Sequence, residues 1–356
     1  MKKTHTQPLP PRFFTQNKVD TVYTQTSETN SDPLLTKFTG ICHIDFGYHF
    51  VQTKTQNLLT CSPLEAGVLK QTYAGKLKPV KNKEEWRENM TPFLKRTRVG
   101  INESFMTLEN MAMLKKEFPQ TKWVNVAEAL RAERKIKTKE EIATLKIAVK
   151  ITLETIEKIP NFLKKGITEV ELAGKIDYEI SRAGCQNSFP TIVAFGKNTR
   201  NIHHFNSNQK LTPRTLVLTD LGAKFHGYCA DITRTQSFGR ATREQHETYA
   251  KCARALDECI DMIRPGKKAS ELMTHAENVL GEKMPHALGH GIGLETHDVP
   301  GGISTRAEWA CEEGMMLAVE PGHYGKHFGI RIEENVEVTR KGNQQLSKAP
   351  KKLLEH

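Results

Sequence analysis

No stretch of this chain approaches the run of about 20 apolar residues that a membrane-crossing helix needs, which excludes a helical anchor. A secretion signal is missing too. The opening Met1-Lys2-Lys3-Thr4-His5-Thr6-Gln7-Pro8-Leu9-Pro10-Pro11 has basic residues but no apolar core, so neither export nor a lipid anchor is expected. No Cys-x-x-Cys pair occurs. The seven cysteines (42, 61, 185, 229, 252, 259, 311) are odd in number and scattered, which fits a reducing cytosol, and a cytoplasmic location is expected. Acidic charge is also short: 52 Lys and Arg face 41 Asp and Glu, and residues 1–100 hold 15 basic against 8 acidic side chains. Such a bias raises nucleic-acid or anionic-surface binding as a reading. The lysines are dispersed without an aromatic-interleaved stripe, so a solvated basic surface is the simpler account.

Against that shortage, four acids in the C-terminal half stand among apolar neighbours. Asp220 and Asp231 lie in VLTDLGAKFHGYCADITRT, two β-like runs flanking Gly222 to Gly227. Folded as a hairpin, that segment sets both carboxylates level across it. Glu320 and Glu333 repeat the arrangement in MLAVEPGHYGKHFGIRIEENVEVT, with Pro321, Gly322, Gly325 and Gly329 as turn formers. His290 sits in the Gly-rich turn His290-Gly291-Ile292-Gly293. Four ionised carboxylates in one partly buried cleft repel strongly, and burying an unpaired one costs several kcal/mol on the order of transfer estimates. Two divalent cations cancel all four charges. Oxygen ligands with one imidazole suit Mn²⁺, Co²⁺, Fe²⁺ or Zn²⁺. Arg331, two residues before Glu333, shares its strand face and is expected to orient that carboxylate bidentately.

The strings TDLGAKFHGYCADITRT, GHGIGLETHDVP, AVEPGHY and GIRIEENVEVT closely resemble the creatinase and methionine aminopeptidase clan, in its proline-directed branch of Xaa-Pro aminopeptidases and prolidases. With the sequence between them they cover most of residues 190–340, and AFGKNTRNIHHF resembles the segment that carries a catalytic histidine upstream. The resemblance implies that Asp220, Asp231 and Glu333 hold one metal and that Asp231, His290, Glu320 and Glu333 hold the other. It implies Glu320 as proton shuttle and His203 and His297 as hydrogen-bond donors to substrate carbonyls. Two divalent metals per chain, Mn²⁺ foremost with Co²⁺, Zn²⁺ or Fe²⁺ as substitutes, are the expected cofactors. Short peptides with proline second are the expected partners, in a homodimer. His204 is left open between a site residue and an exposed loop residue.

Substrate choice turns on one departure. Where prolidases that cleave free dipeptides tend to place an Arg after the second histidine motif, this chain reads Asp298-Val299-Pro300-Gly301-Gly302. A dipeptidase needs a cation for the substrate's C-terminal carboxylate, whereas an aminopeptidase leaves that direction open. An Xaa-Pro aminopeptidase is therefore expected, with an Xaa-Pro dipeptidase as the alternative if Arg306, His203 or a partner chain supplies the charge. A metal-free creatinase-like enzyme, a methionine aminopeptidase and a non-catalytic peptide or nucleic-acid binding module all rank below the proline-directed peptidases.

The expected fold is α/β (α+β). Residues 1–130 are expected to form a creatinase-type N-terminal domain, 131–345 a catalytic pita-bread domain, and 346–356 a tail whose Leu354-Glu355-His356 resembles the start of an expression tag. In the first part, Gly40–Val51 reads as β-rich, Asn57–Thr60 as a strand and Thr107–Phe118 as a helix. In the second, Thr138-x-x-Glu141, Thr168-x-x-Glu171 and Thr242-x-x-Gln245 each open a helix, and Ser270 opens another. Strand-rich sequence follows each pair of helices, which predicts a pseudo-twofold arrangement.

Overall fold

In the computed structural model, which describes residues 7–26, 32–42 and 47–356, the chain divides into two units, Met1–Glu133 and Arg134–His356. Neighbouring apolar residues explain the layering of the first. Val22 and Tyr23, Phe50 and Val51, and Leu58 and Leu59 project to opposite faces by the strand period of two, and each pair divides between two hydrophobic clusters. The sheet has six strands in the order Leu77–Pro79, Asn57–Cys61, His49–Thr53, Thr21–Gln25, Arg98–Ile101 and Lys122–Asn125. Helices Pro11–Gln16 and Pro33–Thr39 bring Phe13, Phe14, Leu34, Leu35 and Phe38 to one cluster, while Lys83–Leu94 and Leu108–Glu117 bring Trp86, Met90, Leu94 and Leu114 to the other. A sheet covered on both faces needs no alternation of hydropathy, so Thr21–Gln25 and Arg98–Ile101 are not evident as strands in the sequence. The β-rich reading of Gly40–Val51 holds only from His49. Gly40, with φ 70°, ends the helix Pro33–Thr39 in the left-handed conformation, and residues 43–46 lie outside the described residues.

Reciprocal capping boxes organise the second unit. Thr138 with Glu141, Thr168 with Glu171 and Thr242 with Gln245 start the helices Lys139–Ile156, Glu169–Arg182 and Arg243–Met262. A fourth helix, Ala269–Leu280, begins one residue before Ser270 and stops at left-handed Gly281. Each helix pair is followed by antiparallel strands, so the helix-helix-strand-strand order occurs twice. The first set contains Ile192–Phe195, Thr215–Leu221 and Ile232–Phe238. The second contains Asp298–Gly302, Gly289–Gly291, Met316–Val319, Glu334–Thr339 and Gly342–Gln345, with a ribbon of Gly322–Tyr324 and Gly329–Arg331 between. Leu256, Ile260, Leu272 and Ala276 of the second helix pair share one core with Leu317, Val319, Ile330, Ile332 and Val336. The helices thus back the strands whose ends carry the acids.

The last residues are held against Ile232–Phe238. Ser237 N–H donates to Leu354 O at 2.8 Å, His356 N–H donates to Ser237 O at 2.9 Å, and Leu353 is buried. Among the described residues, no helix is long and apolar enough to cross a membrane.

Candidate metal centre

Register decides how the four acids meet. Thr215–Leu221 pairs with Ile232–Phe238 so that Asp220 faces Thr233 and Leu221 faces Ile232. Continuing that register puts Asp231 opposite Gly222, diagonal to Asp220 and not level with it. The chain closes so tightly at Gly222 that a Cβ there would stand 1.8 Å from Ala230 O, an approach only glycine permits. The second pair is level: Val319 faces Glu334 and Gly322 faces Arg331 in one register, which sets Glu320 opposite Glu333. Asn335 joins the two hairpins. Its Nδ2 donates to Asp231 O at 2.7 Å, and its Oδ1 accepts from Asp231 N–H at 3.2 Å.

Donor atoms of Asp220, Asp231 and Glu333 lie within 4.8 Å of one another, as do those of His290, Glu320 and Glu333. His290 Nδ1 donates to Gly291 O at 3.0 Å, which turns Nε2 toward the acids, 3.5 Å from Asp231 Oδ2 and 3.9 Å from Glu320 Oε1. Burial, reinforced by the neighbouring carboxylates, raises the Asp231 pKa well above the usual range. Burial and then Glu333 push Glu320 up to about 8, and burial and then Asp220 raise Glu333 as well. Asp220 Oδ1 and Glu333 Oε1 are buried without a hydrogen-bond partner. Repelling, underprovided acids beside an imidazole nitrogen fit divalent cations in kind and number of donors. The five expected ligands are brought together.

Arg331 departs from expectation. Its Nη2 donates to Asp220 Oδ2 at 2.6 Å instead of forking onto Glu333. Thr233 is the reason: its hydroxyl accepts from Arg331 Nε at 3.0 Å and donates to Glu333 Oε2 at 2.9 Å, filling the space between them. Arg331 Nη1 donates to Ile202 O at 3.2 Å and to the Tyr324 hydroxyl at 3.1 Å. His286 completes the chain, its Nε2 2.9 Å from the Tyr324 hydroxyl and its Nδ1 2.7 Å from Ala287 O. Burial holds the His286 pKa down to about 4, so Nδ1–H donates to the carbonyl and Nε2 accepts from tyrosine. Thr233, His286 and Tyr324 went unnoticed in the sequence. Two of them had a signal, since His286 stands four residues before His290 and Tyr324 lies between Glu320 and Glu333 in the chain.

The cluster forms one wall of a cavity of about 340 Å³. His203, His204 and His297 line it, as do Phe189, Ile192, Ile202 and Phe205. The His297 ring stands edge-on to His290 with centroids 4.3 Å apart, and burial followed by the charges of His290 and His203 lowers its pKa. His204 is no free loop residue. Its Nε2 donates to Glu169 Oε2 at 2.8 Å. Asp298, next to His297, is buried against two cations, with Arg134 Nη2 at 2.6 Å and Lys137 Nζ at 4.0 Å.

Residues 143–340 match the model of metallopeptidase family M24. An uncharacterized peptidase of Staphylococcus epidermidis is 31% identical over 85% of this chain and 87% of its own length. Another, from Bacillus subtilis, is 33% identical over 72% and 74%. Among solved structures, an X-Pro aminopeptidase from Thermotoga maritima superposes with a TM-score of 0.89 at 25% identity, covering 97% of this chain and all (100%) of that one. A prolidase from Pyrococcus horikoshii superposes with a TM-score of 0.86 at 28% identity, covering 95% and 96%.

Proposed function

The chain belongs to metallopeptidase family M24, and from that premise we propose that it is an aminopeptidase releasing the N-terminal residue of Xaa-Pro-peptides. One observation carries the choice over a dipeptidase. Among the described residues lining the cavity, the only guanidinium or ammonium is Arg331, and Asp220 holds it at 2.6 Å. Arg134 and Lys137, the cations beside the second histidine motif, are turned to buried Asp298. Arg306 does not line the cavity. No lysine or arginine is left in that lining to bind a substrate's C-terminal carboxylate, which favours a longer peptide whose chain continues outward.

In this reading Asp220, Asp231 and Glu333 would hold one cation, and Asp231, His290, Glu320 and Glu333 would hold a second. Two divalent ions, Mn²⁺ in our proposal, supply when bound a lowered water pKa and charge stabilisation for the tetrahedral adduct. Glu320 takes the proton of the attacking water and returns it to the leaving prolyl nitrogen. His203 and neutral His297 donate hydrogen bonds to the substrate's carbonyl groups. Arg331 fixes Asp220 and, through Thr233, Glu333, so that the ligands keep their positions through turnover. A homodimer in the cytoplasm is part of the same proposal.

The test is hydrolysis of Ala-Pro, Ala-Pro-Ala and Met-Ala-Ala by chelator-stripped protein, before and after Mn²⁺, Co²⁺ or Zn²⁺. Metal-dependent release of alanine from the tripeptide with little dipeptide cleavage is expected. Preference for Ala-Pro makes the enzyme a prolidase, as in the Pyrococcus structure it resembles.

A further inference from the structure

One buried acid lies outside the ligand cluster and has no part in the chemistry above. The Glu169 side chain is 0% exposed and sits in the first turn of the helix Glu169–Arg182, where the helix dipole favours a negative charge. Five donors converge on it. Oε1 accepts from Phe195 N–H at 2.7 Å and Asn198 Nδ2 at 2.8 Å, and Oε2 accepts from His204 Nε2 at 2.8 Å, Ser207 N–H at 3.0 Å and Ser207 Oγ at 2.6 Å. All five belong to 195–207, the segment that carries His203.

Residues 202–206 of that segment all line the cavity, and three of them are anchored. Ile202 O is held by Arg331 Nη1, His204 by Glu169, and Asn206 by Val193 N–H at 2.7 Å and Thr191 O at 2.7 Å. His203 and Phe205, between those anchors, are exposed and line the cavity; Phe205 is 89% exposed. Anchors at 202, 204 and 206 restrict the backbone on both sides of His203 and of Phe205. We propose that Glu169 is a positioning residue for the peptidase site, holding His203 and Phe205 at the substrate cavity through His204 and Ser207. The proposal rests on the reading of His203 as a substrate-contacting group.

The experiment compares Glu169→Gln, His204→Ala and His204→Gln with wild type for Ala-Pro-Ala turnover, metal content and histidine ring resonances. The His203 signal is identified by its disappearance in His203→Ala. In Glu169→Gln and His204→Ala, KM should rise by about tenfold with a smaller fall in kcat, at unchanged metal content, as expected of a misplaced substrate-binding edge. The His203 resonance should shift while His246 and His275 stay in place. His204→Gln keeps an N–H donor for Glu169 and should recover most of the loss. An unshifted His203 signal, or loss of kcat and metal together at constant KM, overturns the proposal. Should Glu169→Gln not fold, the two His204 variants carry the comparison alone. Wild-type protein that cleaves no Xaa-Pro-peptide refutes the proline-directed reading, and the His203 resonance then decides the positioning role by itself.

Discussion

Glu169 and Glu333 are buried to the same depth in one unit, at 0% and 1% exposure, yet their protons are held in opposite directions. Burial works against the charge of both. At Glu169, hydrogen bonds from Ser207, Asn198, His204 and Phe195 outweigh it, and the pKa falls below the usual carboxylate range. At Glu333, the charge of Arg331 and hydrogen bonds with Thr233 and Asp231 are too little against burial and Asp220, and the pKa rises. The difference teaches how to recognise a cation site: a buried acid supplied with donors is a structural fastener, while a group of buried acids left short of donors awaits a positive charge from outside.

The largest effect should come from breaking the underprovided group. Asp231→Ala or Glu333→Ala removes an acid shared by both proposed ion sites, and peptidase activity should fall below detection in a coupled amino-acid release assay. Full activity in either variant refutes the assignment. Next in size is Arg331→Lys, which keeps the charge but cannot reach Asp220, Thr233, Ile202 O and Tyr324 together. Metal affinity, measured by competition with a chromogenic chelator, should weaken by about 10–100-fold.

Thermal unfolding against pH sharpens the contrast directly. Glu320, raised to about 8, favours the protonated folded state, so its contribution is full below the unfolded value of about 4.3 and is lost as pH rises through 8. Glu169 is lowered, so its contribution is present above the unfolded value and lost as pH falls through the folded one. Stripped protein should therefore lose stability from about pH 5 to 8, and added metal should abolish that loss. At free metal about 100 times Kd, each site adds about 2.7 kcal/mol. The smallest effect is expected of His204→Ala, about tenfold in kcat/KM, because four other donors still hold Glu169.

The sequence made the cluster of acids legible because acids in apolar strand runs are costly and therefore conspicuous. It made the level placement of Glu320 and Glu333 legible through turn chemistry, and the three capping boxes through spacing. It did not reveal the offset of Asp231, which depends on the closeness of the chain at Gly222. Arg331 was placed on the correct strand face, but i,i+2 spacing gives direction without reach, and the long side chain crosses Thr233 to Asp220. Glu169 was invisible for a similar reason: its donors lie 26 to 38 residues away, and nothing local distinguishes it from an ordinary first-turn acid. In the N-terminal unit, strands buried on both faces hid their period.

The most direct measurement is the number of metal equivalents bound by chelator-stripped protein, read by elemental analysis after Mn²⁺ titration, alongside recovery of Ala-Pro-Ala cleavage. Two equivalents per chain are predicted, with activity returning as they bind and both lost in Asp231→Ala. Full cleavage by protein holding no metal, or unchanged metal binding in Asp231→Ala, would contradict it.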